Sequence, residues 1–195
     1  RLILRNEAIA AMTLCDVRER VGVTTPQGWT NLVVLSPDFQ HYAISDSTGR
    51  VSIRRVIGGE ELLQLEGPEH RAWIMQFSPN GAYLAGKFHK GTPQPTPPVV
   101  CVWDLKTGAR ILRIDEDLNQ AAFDFSHDSQ SFALGTQRGP VQIFALDKGD
   151  VVRETKVPAE PSAVQFNSTA TQLAIASRGN PSLVVWDFES ARVST

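Results

Sequence analysis

The chain has 195 residues, of which 42% are hydrophobic and 21% charged, and its formal net charge is −2. Those are values of an ordinary soluble globular protein, long enough to bury one large core or two small ones. The near-neutral balance provides no basic stripe to displace counterions, so no nucleic-acid partner is expected, and no apolar run reaches the roughly 18 residues of a membrane span.

The first twenty residues stand apart. Asn6-Glu-Ala-Ile-Ala-Ala-Met-Thr-Leu14 is rich in helix formers, with Asn6 placed to cap it, so a short N-terminal helix is expected in a lead-in segment over 1–20. Residues Asp16 to Val23 read as extended, and Arg18 to Thr24 would suit a strand that completes the last sheet of a ring. The chain opens on Arg1 and no signal-peptide pattern follows, so the sequence is expected to be part of a longer protein. Two cysteines, Cys15 and Cys101, are too few for a disulfide framework and read as small buried thiols.

From residue 21 onward one pattern returns four times, over about 25–66, 67–115, 116–157 and 158–195. In the first copy Leu32-Val-Val-Leu-Ser-Pro-Asp38 is a strand running into a tight turn. It is followed by Tyr42–Ser45, by Val51-Ser-Ile-Arg-Arg55, and after Gly58-Gly59 by Glu61–Leu65. The second copy runs Ile74-Met-Gln-Phe-Ser-Pro-Asn-Gly81, Tyr83–Gly86, Val100-Cys-Val-Trp-Asp104 and Thr107–Ile114. The third has Ala122-Phe-Asp-Phe-Ser-His-Asp-Ser129, Phe132–Gly135, Val141-Gln-Ile-Phe-Ala145 and Lys148–Thr155. The fourth has Ala163-Val-Gln-Phe-Asn-Ser-Thr-Ala170, Leu173–Ala176, Leu183-Val-Val-Trp-Asp187 and a short remainder.

Leu35, Phe77, Phe125 and Phe166 hold the same place in the four copies, at intervals of 42, 48 and 41 residues. The long interval contains the Pro-rich stretch Gly91–Pro98, about seven residues more than its counterparts; without it the period is about 41. Four short strands recurring at that period are the signature of propeller blades. Apolar residues alternate in the first and third strands, with Gln76, Asp124 and Gln165 between them directed to the other face. One four-stranded sheet cannot hide both its faces, so each needs a neighbour. The expected fold is all-β: about four four-stranded antiparallel blades, a partial ring.

These residues resemble the WD40 family over roughly Gly22 to Thr195. Trp103-Asp104 and Trp186-Asp187 match its naming dipeptide, and Phe77-Ser-Pro79-Asn-Gly81 matches its first turn. The resemblance implies a WD40-type β-propeller in which Phe77, Pro79, Trp103, Asp104, Phe125, Phe144, Phe166, Trp186 and Asp187 are structural repeat positions. The sequence departs from the family at Arg54-Arg55 and Phe144-Ala145, where Trp-Asp is expected. It departs again at His70, two residues too close to Phe77, and at Thr48 and Arg138 in place of a turn aspartate. The family's buried His–Ser/Thr–Asp–Trp network is therefore expected to be incomplete. The lead-in helix followed by degenerate blades is also similar to the C-terminal regions of large bacterial serine/threonine protein kinases, which implies a parent protein that is a kinase, membrane-anchored in some cases.

No phosphate loop, nucleophile elbow or kinase motif is present, and the four histidines lack zinc-ligand spacing. No catalytic residue, metal or cofactor is expected. Asp115-Glu-Asp117 and Glu60-Glu61 read as solvated acidic turns. What remains points to recognition of a protein or peptide partner. Glu69, His70, Arg71, Lys87, His89 and Lys90 gather on the face that carries the Gly91–Pro98 loop, a docking loop or a tolerated insertion. Trp29 and Trp73, near strand starts, either reach the rim or pack in the core. Arg54, Arg55 and Arg138 either catch acidic or phosphorylated peptides by bidentate hydrogen bonds or are solvated. The function expected is a non-catalytic interaction scaffold, soluble and cytoplasmic, its missing blades in the parent protein; a propeller hydrolase, using Glu69, His70 and Asn119, is the rival reading.

Overall fold

The computed structural model describes residues 29–89, 98–115, 121–136, 140–157, 160–177 and 183–194. The expected N-terminal helix and the Arg18–Thr24 strand lie outside the described residues, and among the described residues there is no helix. The described residues form sixteen strands in four sheets of four. Blade 1 comprises β1 (Trp29–Leu35), β2 (His41–Asp46), β3 (Val51–Arg55) and β4 (Glu61–Leu65). Blade 2 comprises β5 (Arg71–Phe77), β6 (Tyr83–His89), β7 (Val99–Asp104) and β8 (Arg110–Ile114). Blade 3 comprises β9 (Ala122–Phe125), β10 (Ser131–Gly135), β11 (Val141–Ala145) and β12 (Val151–Thr155). Blade 4 comprises β13 (Pro161–Phe166), β14 (Gln172–Ser177), β15 (Leu183–Asp187) and the two-residue β16 (Val193–Ser194). Each sheet is an antiparallel meander whose spatial order follows the chain.

The turns after the first strands explain why the four copies share one register. Ser36 donates its hydroxyl to Asp38 at 2.5 Å and accepts the His41 amide at 2.9 Å. Ser78 with Asn80, and Ser126 with Asp128, repeat the device, while in blade 4 Asn167 alone accepts the amides of Thr171 and Gln172. Such side chains replace lost ladder bonds and pin the hairpin. As a result Leu35 faces Tyr42, Phe77 faces Leu84, Phe125 faces Phe132, and Phe166 faces Leu173. One residue on, Ala43, Ala85, Ala133 and Ala174 hold a single repeated position, opposite Ile53, Val102, Ile143 and Val185.

The two faces of a blade differ in size of side chain. Toward the following blade lie the small and β-branched residues: Ala43, Val51 and Ile53, then Ala85, Val100 and Val102, then Ala133, Val141 and Ile143. Toward the preceding blade lie the large ones: Phe77, Leu84 and Trp103, then Phe125, Phe132 and Phe144, then Phe166, Leu173 and Trp186. Small against large interdigitates at interior packing density. Three cores result, between blades 1 and 2, 2 and 3, and 3 and 4. The aromatic of the third strand is thus the plug of each interface, and truncating one would cost about 3–5 kcal/mol.

Polar bonds cross the same interfaces. Gln76 of β5 donates to the Asp124 carboxylate of β9 at 3.1 Å, and the Phe166 amide of β13 donates to its other oxygen at 3.0 Å. Asp124 thereby links three blades along their first strands. Among the described residues no fourth core joins blade 4 to blade 1, so over those residues the arc is open. Blade 1 exposes Val33 and Leu35, whereas Phe77, Phe125 and Phe166 at the position of Leu35 are buried, and blade 4 exposes Leu183 and Val193.

Candidate functional site

Blade 2 assembles the candidate residues. Register pairs Arg71 with His89 and Ala72 with Phe88, then slips, so that Ile74 faces Lys87 and Trp73 is the extra residue of a β-bulge. A bulge re-aims one side chain, and here it presents the Trp73 indole to solvent at 67% exposure. The ring is backed by the His89 imidazole, with centroids 5.0 Å apart and planes inclined at 54°. In blade 4 the same slip between Pro161 and Ala163 leaves Ser162 as the extra residue, which is exposed.

Two residues from His89, Lys87 is only 8% exposed. Its ammonium donates to the Ala121 carbonyl of blade 3 at 3.2 Å, and no described carboxylate bonds it. Burial pulls its pKa down from the ordinary lysine value. His89 is pulled down as well, by burial first and then by the charges of Lys87 and His70. Losing water disfavours the charged form of both groups, and their mutual repulsion adds to it.

The loop that brings His70 to this face is held by backbone. Glu69 adopts a left-handed conformation at φ 63°, and His70 Nδ1 donates to the Glu69 carbonyl at 2.8 Å. A Cβ on Gly67 would lie 1.7 Å from the Gly49 carbonyl oxygen, and one on Gly49 would lie 2.2 Å from the His70 carbonyl oxygen. Only glycine allows the blade 1 turn to sit so close to the start of blade 2. Strain of this kind clusters where geometry serves recognition.

Of the sequence candidates, Glu69, His70, Arg71, Trp73, Lys87 and His89 therefore meet at one end of blade 2. Trp29 opens β1 opposite Asp46, whereas Lys90, Arg138, Asn119 and residues 91–97 of the Pro-rich loop lie outside the described residues. Arg54 and Arg55 are not free to catch a ligand. Arg54 donates to the Gly59 carbonyl at 2.8 Å and lies beside Ser52 and Glu61, and Arg55 pairs with Glu60 at 3.2 Å. Glu61 is accordingly part of β4 rather than of a solvated turn. Trp103 and Trp186 are buried in the interfaces between blades. Sequence reading missed the Gln76–Asp124 link; its signal was the polar residue recurring at one place in the first strands.

A second concavity, an open groove of about 890 Å³, lies between blades 3 and 4 near Asp128, Thr169 and Phe188. Arg153 is spent there on the Phe188 carbonyl at 3.1 Å and on its ring at 5.4 Å. Among the described residues no three His, Cys, Asp or Glu side chains are placed to hold a metal ion, and no helix is long and apolar enough to cross a membrane.

The fold is that of β-propeller blades. No family model and no curated protein matches the chain. Among solved structures it is similar to hydrazine synthase of Kuenenia stuttgartiensis, with a TM-score of 0.62 and 16% identity over 90% of this chain and 52% of that one. The chain spans about half the length of that protein. Likeness at this identity concerns the arrangement of sheets, and since 1261 solved chains match, it singles out no chemistry.

Proposed function

We propose that the chain is a non-catalytic interaction module built from WD40-type blades, and that it docks a protein or peptide partner on the Trp73 face of blade 2. The observation that carries the reading is Trp73 itself: a large aromatic at 67% exposure, aimed outward by a bulge and stiffened by His89. Aromatic anchors of low conformational entropy supply much of the affinity in protein interfaces. In this reading the module is soluble, cytoplasmic, and needs neither cofactor nor metal.

Selection from a random displayed-peptide library tests it. The module should enrich binders that lose affinity on Trp73→Ala while the melting temperature stays unchanged. A selection without Trp73-dependent binders contradicts the reading. So does turnover in a hydrolase and lyase screen that His70→Ala abolishes, which would favour a propeller enzyme.

Exposure of Leu183 and Val193 supports a second element of the proposal, that further blades of the parent protein cover blade 4. The parent is read as a serine/threonine kinase that this region regulates or localises. A kinase catalytic loop encoded ahead of Arg1 would support that reading, and a parent without one removes it.

A further inference from the structure

We propose that the Trp73 face reads an acidic side chain, its carboxylate seated between the Lys87 ammonium and the His89 imidazole, with the apolar flank of the peptide lying on Trp73 and Ile74. The inference rests on the docking reading above and names the chemistry of the docked segment. A lysine that is 8% exposed and satisfied by one carbonyl has given up most of its hydration for a single neutral acceptor. It retains two further N–H donors. Burial of a charge is costly without a counter-charge, and among the described residues no carboxylate meets this one.

The fold does not require that cation. The register position of Lys87, next to Val100, is filled by Ser45 beside Val51, Gly135 beside Val141 and Ala176 beside Leu183. Blades therefore close with a small residue there, and a long buried cation in blade 2 is an addition to the scaffold. Trp73 likewise replaces the small Ser162 of blade 4. Glu66 and Glu69, the acidic residues of the adjoining loop, make no bond to Lys87.

The donor set selects the anion. One ammonium beside one imidazole matches a single negative charge through charge-assisted hydrogen bonds. Arg54 and Arg55 are committed to blade 1, and the one guanidinium of the cluster, Arg71, stands across the strand pair from His89 rather than beside Lys87. Exposed Trp73 and Ile74 then offer apolar area to whatever flanks the carboxylate.

Fluorescence anisotropy with labelled octapeptides of glutamate, lysine or serine tests this. The glutamate peptide should bind saturably, and the lysine and serine peptides should not. Lys87→Met, which keeps the volume and removes the charge, should weaken binding at least tenfold, as should Trp73→Ala. His89 meets Lys87, His70 and Trp73, with Arg71 across the strand pair. A bound carboxylate favours the charged imidazole, which burial, Lys87 and His70 disfavour in the free protein, so binding should tighten as pH falls through the range where the imidazole takes its proton, and His89→Gln should flatten that dependence. Should Lys87→Met fail to fold, Trp73→Ala and His89→Gln decide. Equal binding of serine and glutamate peptides, no binding at millimolar peptide, or unchanged binding in those variants overturns the proposal. Trp73-dependent binders that are neutral or basic would sink this inference and leave the docking reading standing.

Discussion

Truncating the same third-strand position in each blade separates interface from surface. Val51, Val100, Val141 and Leu183 occupy it, and the first three are 0% exposed whereas Leu183 is 59% exposed. Val→Ala at a sealed site removes two methyl groups, about 1.6 kcal/mol at 0.8 kcal/mol each, and leaves a cavity, for a total near 2–3 kcal/mol. Leu183→Ala removes three carbons, yet more than half of that side chain is already in water, so the expected loss is under about 1 kcal/mol. The larger truncation should therefore be the milder one. Urea melts with a constant slope would read the four losses as midpoint shifts. In thermal melts the valine variants should drop by about 5–10 °C and Leu183→Ala by no more than about 3 °C. A Leu183→Ala loss equal to that of Val141→Ala would refute the open end of the arc.

Three other outcomes follow from the same geometry. Gly67→Ala drives a Cβ into the Gly49 carbonyl and should cost at least about 2 kcal/mol by denaturant titration. Asp38 and Asp128 are held below the usual carboxylate range chiefly by the Ser36 and Ser126 hydroxyls, and then by the Gln40 and Gln130 amides. Asp187 is lowered to about 2 by the Ser190 amide, then the Gln172 side chain and the Ser190 hydroxyl. Because these folded values lie below the unfolded one, their contribution is complete above about pH 4–5 and is lost as pH falls toward 2, which melting curves across that range would show. The Cys101 thiol, buried between blades 1 and 2, is pushed up to about 12, so in a Cys15→Ser variant a thiol reagent at pH 8 should label it only after unfolding.

Much of this architecture is written in short-range pattern. The alternation of Met75 with Phe77 or Val141 with Ile143 names the buried positions, and Ser-Pro-Asp or Ser-Pro-Asn-Gly names the hairpins, because both effects act within a few residues. Which face of a blade meets which neighbour is not local, and only register shows that Ala43, Ala85, Ala133 and Ala174 all turn the same way. Three features depend on contacts more than ten residues apart and stayed hidden: the bulge that ejects Trp73, the Ala121 carbonyl that meets Lys87, and the Gln76–Asp124 bond. Arg54, open in the sequence between catching an acidic peptide and being solvated, is held by Gly59 of the following turn and lies beside Glu61 of β4, contacts only five and seven residues away. The site residues were found as a cluster because Arg71 and His89, on adjacent strands, end at the same edge of one sheet.

Radial stacking of successive sheets is the claim on which the rest depends, and a double-mutant cycle on Gln76 and Asp124 tests it most directly. The two residues are 48 positions apart and bond at 3.1 Å only if blades 2 and 3 lie face to face. Alanine at each, alone and together, should show a coupling of about 1.5–3 kcal/mol in denaturant unfolding, the range of a hydrogen bond to a charged group. Strictly additive losses would mean that these sheets do not stack in this way.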